Sequence, residues 1–140
     1  MSTSRLFALV FGAIYVLVGL IGFLRPLTDA PHDGLLVAKT AFLLGIFAVN
    51  WFHNLAHVVI GAVGLAASPR AGTARLYAQV IGIAYAVLFV IGLVTKDFLG
   101  ILPLNDADNV LHLASALLAL VIGFSPIGLQ QLGQGRAATA

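Results

Sequence analysis

Charge and cysteine are what this chain lacks. No cysteine occurs among its 140 residues, which excludes disulfides, thiolate metal centres and cysteine nucleophiles and leaves the redox compartment unread. Charged residues make up only 9%, against about 25% in a soluble domain. The formal charge of +2 is small and the basic residues are scattered, so no nucleic-acid surface is expected. No Ser-His-Asp order, no phosphate-cradling glycine loop and no paired carboxylates of a soluble cleft are present, and an enzyme is not expected.

What the chain has instead is apolar length. Hydrophobic residues reach 61% and the mean hydropathy is +1.07. A soluble protein of this size could not hide so much apolar surface, so lipid is its expected solvent. Four spans can be drawn: Leu6 to Leu24, Trp51 to Ala67, Leu76 to Val94 and Val110 to Phe124. A crossing helix needs about 20 apolar residues, with a range of about 17–25. The second and fourth spans meet that length only with their polar first turns. The first is too long for a secretory h-region and no A-x-A site follows it, so it reads as a span and not as a signal peptide.

Arg5, Arg70, Arg75 and Arg136 fall on one side of this four-span plan. Arg25, Lys39 and Lys96 fall on the other, with all five acids, Asp29, Asp33, Asp97, Asp106 and Asp108. Four basic residues against three place both termini in the cytoplasm by the positive-inside rule. Spans one and three carry no charge between Arg5 and Arg25 or between Arg75 and Lys96. A complete proton or ion path through a lone monomer is therefore disfavoured, since Tyr15, Tyr85 and Gln79 offer it too few polar steps.

The chain also repeats itself. Asn50, Asn54 and His57 recur as Asn105, Asn109 and His112, and His53 falls at the position of Asp108. Arg5-Leu6-Phe7-Ala8 aligns with Arg75-Leu76-Tyr77-Ala78, and Gly12, Tyr15 and Gly22 meet Gly82, Tyr85 and Gly92. The expected fold class is all-α: a four-transmembrane-helix bundle built from two duplicated helical hairpins as parallel repeats, related by a pseudo-twofold axis along the membrane normal. One transmembrane domain would cover residues 1–128, with repeat 1 at about 5–67 and repeat 2 at about 75–124. Residues 129–140 are small and polar and are expected to form a disordered tail. The first connection is about 15 residues longer than the second, around Arg25 to Leu44, well beyond usual helix–helix loops. Pro26, Pro31 and Gly34 mark its first part as a loop holding a solvated His32. Leu35 to Leu44 is expected to be interfacial or re-entrant. Gly12, Gly19, Gly22, Gly61, Gly64, Gly82, Gly92, Ala114 and Ala116 suit close helix packing in lipid.

The repeated polar stripe is the candidate site. Asn50 and Asn105 are placed to cap helices two and four. Positions four and seven further on share a face, so Asn54 with His57, and Asn109 with His112, point into the bundle. A twofold relation brings His57 and His112 together if helices two and four flank the axis. Three uses compete. In the first, the asparagines and histidines bond across helices and hold the hairpins in register. In the second, His53, His57, Asp108 and His112 bind a divalent metal, with Asn50, Asn54, Asn105 and Asn109 behind them. In the third, His57 and His112 are axial ligands of a haem. The first use belongs to a non-enzymatic protein acting through partners, as an accessory subunit or an oligomer surrounded by membrane lipid.

These motifs carry a resemblance. Val49-Asn50-Trp51-Phe52-His53-Asn54-Leu55-Ala56-His57 with Ile60-Gly61, and Leu102-Pro103-Leu104-Asn105 with Asp108-Asn109-Val110-Leu111-His112-Leu113, resemble the two signatures of a bacterial four-helix integral membrane protein family catalogued as domain of unknown function 4383. The resemblance runs from about Arg5 to Phe124. It implies a four-helix protein of the bacterial inner membrane and no particular activity. Ala48 departs from it where a proline mirroring Pro103 is expected, and is taken to relax the turn.

Overall fold

A computed structural model describes residues 1–24, 28–29 and 40–125. Within them run four helices: α1 (Thr3–Gly22), α2 (Trp51–Ala67), α3 (Ala71–Val94) and α4 (Asp106–Phe124). Three of these, α1, α3 and α4, are long and apolar enough to cross a membrane. α2 is shorter at 17 residues, roughly 25 Å at ~1.5 Å per residue. Trp51 and Phe52, stacked at 4.3 Å and both exposed, stand at its start. The amphipathic indole of Trp51 favours the headgroup level.

The all-α expectation needs correcting, because the α1–α2 and α3–α4 connections each carry a small two-stranded antiparallel sheet. β1 (Ala41–Leu43) pairs with β2 (Phe47–Val49), and β3 (Asp97–Phe98) pairs with β4 (Leu102–Pro103). The turns between them share one geometry. Leu44 and Gly45 lie at φ 54° and 70°, and Leu99 and Gly100 at 59° and 69°. In each turn an N–H closes back at 3.1 Å, from Ile46 to the Leu43 carbonyl and from Ile101 to the Phe98 carbonyl. Two consecutive residues with positive φ match the right-handed twist of paired strands, which is why a hairpin forms here. The second half of the Leu35 to Leu44 segment, expected to be interfacial or re-entrant, forms strand β1 and the start of its turn. Its first half, His32 and the C-terminal tail lie outside the described residues.

Small residues set the helix pairing. α1 packs chiefly on α2, and α3 on α4. A Cβ on Gly12 would stand 2.8 Å from the Gly61 carbonyl oxygen, and one on Gly82 would stand 2.8 Å from Leu120. Gly22 and Gly92 receive the side chains of Asn54 and Asn109 so closely that no Cβ could coexist with them. The hairpins meet mainly through α1 and α3, so α2 and α4 do not flank the centre. That seam is aromatic: Phe7, Phe11, Tyr77 and Tyr85 are buried there with Ala8, Ala74, Ala78 and Ile81, and α4 adds Ala116 and Ala119. The polar ends are tied as well. Arg5 Nε donates to the Ser68 carbonyl at 3.0 Å, Tyr77 Oη to the Ile60 carbonyl at 3.1 Å, and Gln79 Nε2 to the Gly123 carbonyl at 2.9 Å.

Gly12→Ala should therefore cost roughly 1–3 kcal/mol, the usual penalty for overpacking. Gly72→Ala, in the first turn of α3 with open space around it, should be neutral or stabilising by up to about 1 kcal/mol. Unfolding midpoints in mixed micelles check both, and a neutral Gly12→Ala would contradict the close α1–α2 approach.

Candidate functional site

Asparagine starts both even-numbered helices. Asn50 Oδ1 accepts the His53 N–H at 2.9 Å, and Asn105 Oδ1 accepts the Asp108 N–H at 2.8 Å. Each satisfies an orphan donor of its helix end. The remaining half of each amide reaches across the molecule. Asn50 Nδ2 donates to the Ile101 carbonyl at 2.7 Å, and Asn105 Nδ2 donates to the Ile46 carbonyl at 2.6 Å. Each cap thus holds the turn of the opposite hairpin.

A second tie converges on the Ala48 peptide. Its N–H donates to Asp108 Oδ2 at 3.1 Å, and its carbonyl lies 2.9 Å from His53 Nδ1. A carbonyl can only accept, so Nδ1 of His53 carries the proton and Nε2 keeps a lone pair. Asp108 Oδ2 also accepts the Asn105 N–H at 3.1 Å, completing a capping box. Ala48 is therefore not a relaxed substitute for proline. It supplies a donor that proline lacks.

Deeper in the bundle, rings touch in a chain. His53 lies 4.7 Å from His57, His57 5.1 Å from Tyr15, Tyr15 5.8 Å from Tyr85, and Tyr85 5.3 Å from His112, centroid to centroid. Tyr15 Oη is also 3.2 Å from Ser115 Oγ of α4. Nδ1 of His57, Nδ1 of His112, both side-chain polar atoms of Asn54 and Oδ1 of Asn109 are buried and find no partner among the described residues. Beside this chain lies a cavity of about 250 Å³. Ile14, Tyr15, Val18 and Ile21 of α1 line it, with Leu43, Leu44, Phe47 and Val49 of the first β-hairpin. His53 and His57 of α2, and Asp108, Leu111 and His112 of α4, complete the wall.

All four candidate metal ligands, His53, His57, Asp108 and His112, thus border one cavity. Two have prior commitments: Nδ1 of His53 to the Ala48 carbonyl, and Oδ2 of Asp108 to two backbone donors. Among the described residues no group of three or more such side chains is set to hold a metal ion. A haem on His57 and His112 would have to displace the tyrosine rings resting on them. The four asparagines divide by depth, with Asn50 and Asn105 as caps and ties, and Asn54 and Asn109 as packing against Gly22 and Gly92. Sequence reasoning singled out Ala48 but missed its bonds to Asp108 and His53, and it missed the β-hairpin wall of the cavity. The signal for the hairpin was present in Leu44-Gly45-Ile46 and its return as Leu99-Gly100-Ile101.

A mostly helical bundle with three spans long and apolar enough to cross a bilayer is a membrane protein in its class. The model of the family described as a domain of unknown function (DUF4383) matches residues 5–125, and the chain belongs to that family. No curated protein and no solved structure matches it.

Ala48→Pro removes one donor and no side-chain atom that bonds, so it should cost roughly 1–3 kcal/mol through the buried carboxylate it leaves short. In an Asp108→Ala background the same change should cost nearly nothing. Four unfolding curves give this cycle, and an equal cost in both backgrounds would sever the link between Ala48 and Asp108.

Proposed function

We propose that this protein is a non-enzymatic component of the bacterial cytoplasmic membrane, both termini inside, that works through bound partners. Its polar stripe serves first to hold two copies of one helical hairpin together. The crossed pair of asparagine bonds, Asn50 to Ile101 and Asn105 to Ile46, carries this reading. Equivalent residues spend equivalent groups on structure in both halves, which supports duplication and takes four polar side-chain atoms out of any chemistry. The matched turns at Leu44-Gly45 and Leu99-Gly100, and the matched seats of Asn54 on Gly22 and Asn109 on Gly92, support it further.

Partners enter through what remains uncovered. Only 33% of each long span is buried within the bundle. Val59 and Val63 of α2 and Val87 and Val90 of α3 present apolar faces outward. Lipid alone satisfies such faces, but in membranes small bundles also associate through them by packing.

A photo-reactive residue at Val59 or Val87, activated in living cells, should yield a discrete protein adduct, either a second copy of the chain or another subunit. Adducts with lipid alone at both positions would end the partner reading. Elemental analysis of untagged protein, purified without chelator, should find no stoichiometric metal. A metal lost together in His57→Ala and His112→Ala would replace the structural reading with a metal site.

A further inference from the structure

The cavity beside the histidine–tyrosine chain is not consumed by the ties described above, and it combines features of a ligand site. It is mostly apolar in its walls, yet His53, His57, Asp108 and His112 reach it. His112 is only 5% exposed and its Nδ1 has no partner among the described residues, and Nδ1 of His57 is likewise unpartnered. A buried polar nitrogen left without a bond costs roughly 1–3 kcal/mol. The rings that carry these nitrogens, His57 and His112, both line the hollow, and no hydrogen bond joins either ring to another described residue, so a bound group can supply one.

The occupant's chemistry follows from the wall. Among the described residues no Lys or Arg lines the cavity, so a phosphate or carboxylate headgroup finds no counter-charge from them. The carboxylate among the described lining residues, Asp108, already accepts two backbone donors at the start of α4, where the helix dipole offsets its charge. The group to be bound is therefore neutral. A neutral imidazole offers one donor and one acceptor, so three histidines can serve a carbonyl or a hydroxyl. Flat rings at His57 and Tyr15 suit a flat ligand.

The entry route follows from the rim. Ile14, Leu44 and Leu111 are 51%, 60% and 48% exposed, and they line the same hollow. Two of them lie on spanning helices, so the mouth opens toward lipid. About 250 Å³ is just short of the roughly 300–1,000 Å³ of sites that enclose whole drug-sized ligands. It admits a head group and leaves a tail in the bilayer. We propose that this cavity binds the ring of a neutral, lipid-soluble quinone, or the quinol it forms on reduction, entering between α1 and α4 and hydrogen-bonded by His57 and His112. This site stands independently of the partner reading, since a protein can hold such a ring with or without a second subunit.

The test uses the full chain in phosphatidylcholine nanodiscs, titrated with a decyl-substituted benzoquinone and followed by ¹⁵N shifts of the histidine ring nitrogens. Saturable movement of the His57 and His112 signals, at one equivalent and above the uptake of empty discs, is expected. Val18→Phe, which fills the cavity without touching a polar group, should weaken the apparent affinity at least tenfold. His112→Phe, which keeps a ring and removes its nitrogens, should do the same. Helix content by circular dichroism confirms that each variant is folded, and the wild-type shifts stand even if one is not. Uptake no different from empty discs would overturn the proposal. So would saturable binding that neither variant weakens. Tetraphenylphosphonium, a lipophilic cation, should not compete; if it binds in place of the benzoquinone, the site is one for cations and the neutral-ring assignment fails.

Discussion

In hydrocarbon there is no water to complete an open hydrogen bond, so each polar group must be answered by the chain itself. The start of a helix is where that demand is hardest to meet, with four N–H groups unsatisfied. Here it is met by asparagine at both even-numbered helices, and the cap residue does more than cap. Its oxygen closes the helix while its nitrogen crosses to the other hairpin's turn. The turn carbonyls of Ile46 and Ile101 gain donors by the same bonds. Helix starts, turns and hairpin pairing are thus one problem with one solution. The β-hairpins exist because the chain must present those carbonyls at a fixed place, and the positive φ of Leu44 and Leu99 is the strain accepted to do so.

Packing below that layer follows a different rule. In lipid there is no hydrophobic gain when two helices meet, so association depends on how closely the backbones approach. Gly12 against Gly61, and Gly82 against Leu120, allow that approach. Asn54 and Asn109 use it differently. Their amides are pressed onto Gly22 and Gly92, and fix the depth at which α1 and α3 sit along their neighbours. Asn54 is wholly buried with both polar atoms unanswered among the described residues. A valine would fill that space without such a cost, and nothing in the structure explains why an amide stands there.

How much of this could be read from the sequence depended on the range of each interaction. Helix bounds follow from composition and from local caps, and α2 begins and ends where its apolar run does. The stripe Asn50, Asn54, His57 and its echo Asn105, Asn109, His112 are legible because one helix face repeats with a fixed spacing. The crossing bonds are not, since Asn50 and Ile101 are brought together only by the bundle. Nor could spacing tell which helices meet at the centre. The aromatic seam decided that, with Phe11 stacked on Tyr15 at 4.1 Å and set edge-on to Tyr85 at 6.4 Å. The β-hairpins were obscured because three residues of strand beside an apolar segment look like part of a short helix.

The departures from symmetry are as informative as the symmetry. Two identical hairpins would make two identical cavities, but the halves differ at two linked positions. Ala48 stands opposite Pro103, and His53 stands opposite Asp108. Proline has no N–H, so the donor at Ala48 has no counterpart at Pro103, and the carboxylate that receives it, Asp108, lies where the first half has His53. The longer first hairpin is drawn over α4 by that bond, and its Leu43, Leu44, Phe47 and Val49 become a wall of the hollow above His57 and His112. Pro103 can make no such bond to His53. The bond from Ala48 to Asp108 therefore ties the first hairpin to α4 at the side of the cavity that the hairpin lines, across from three imidazoles.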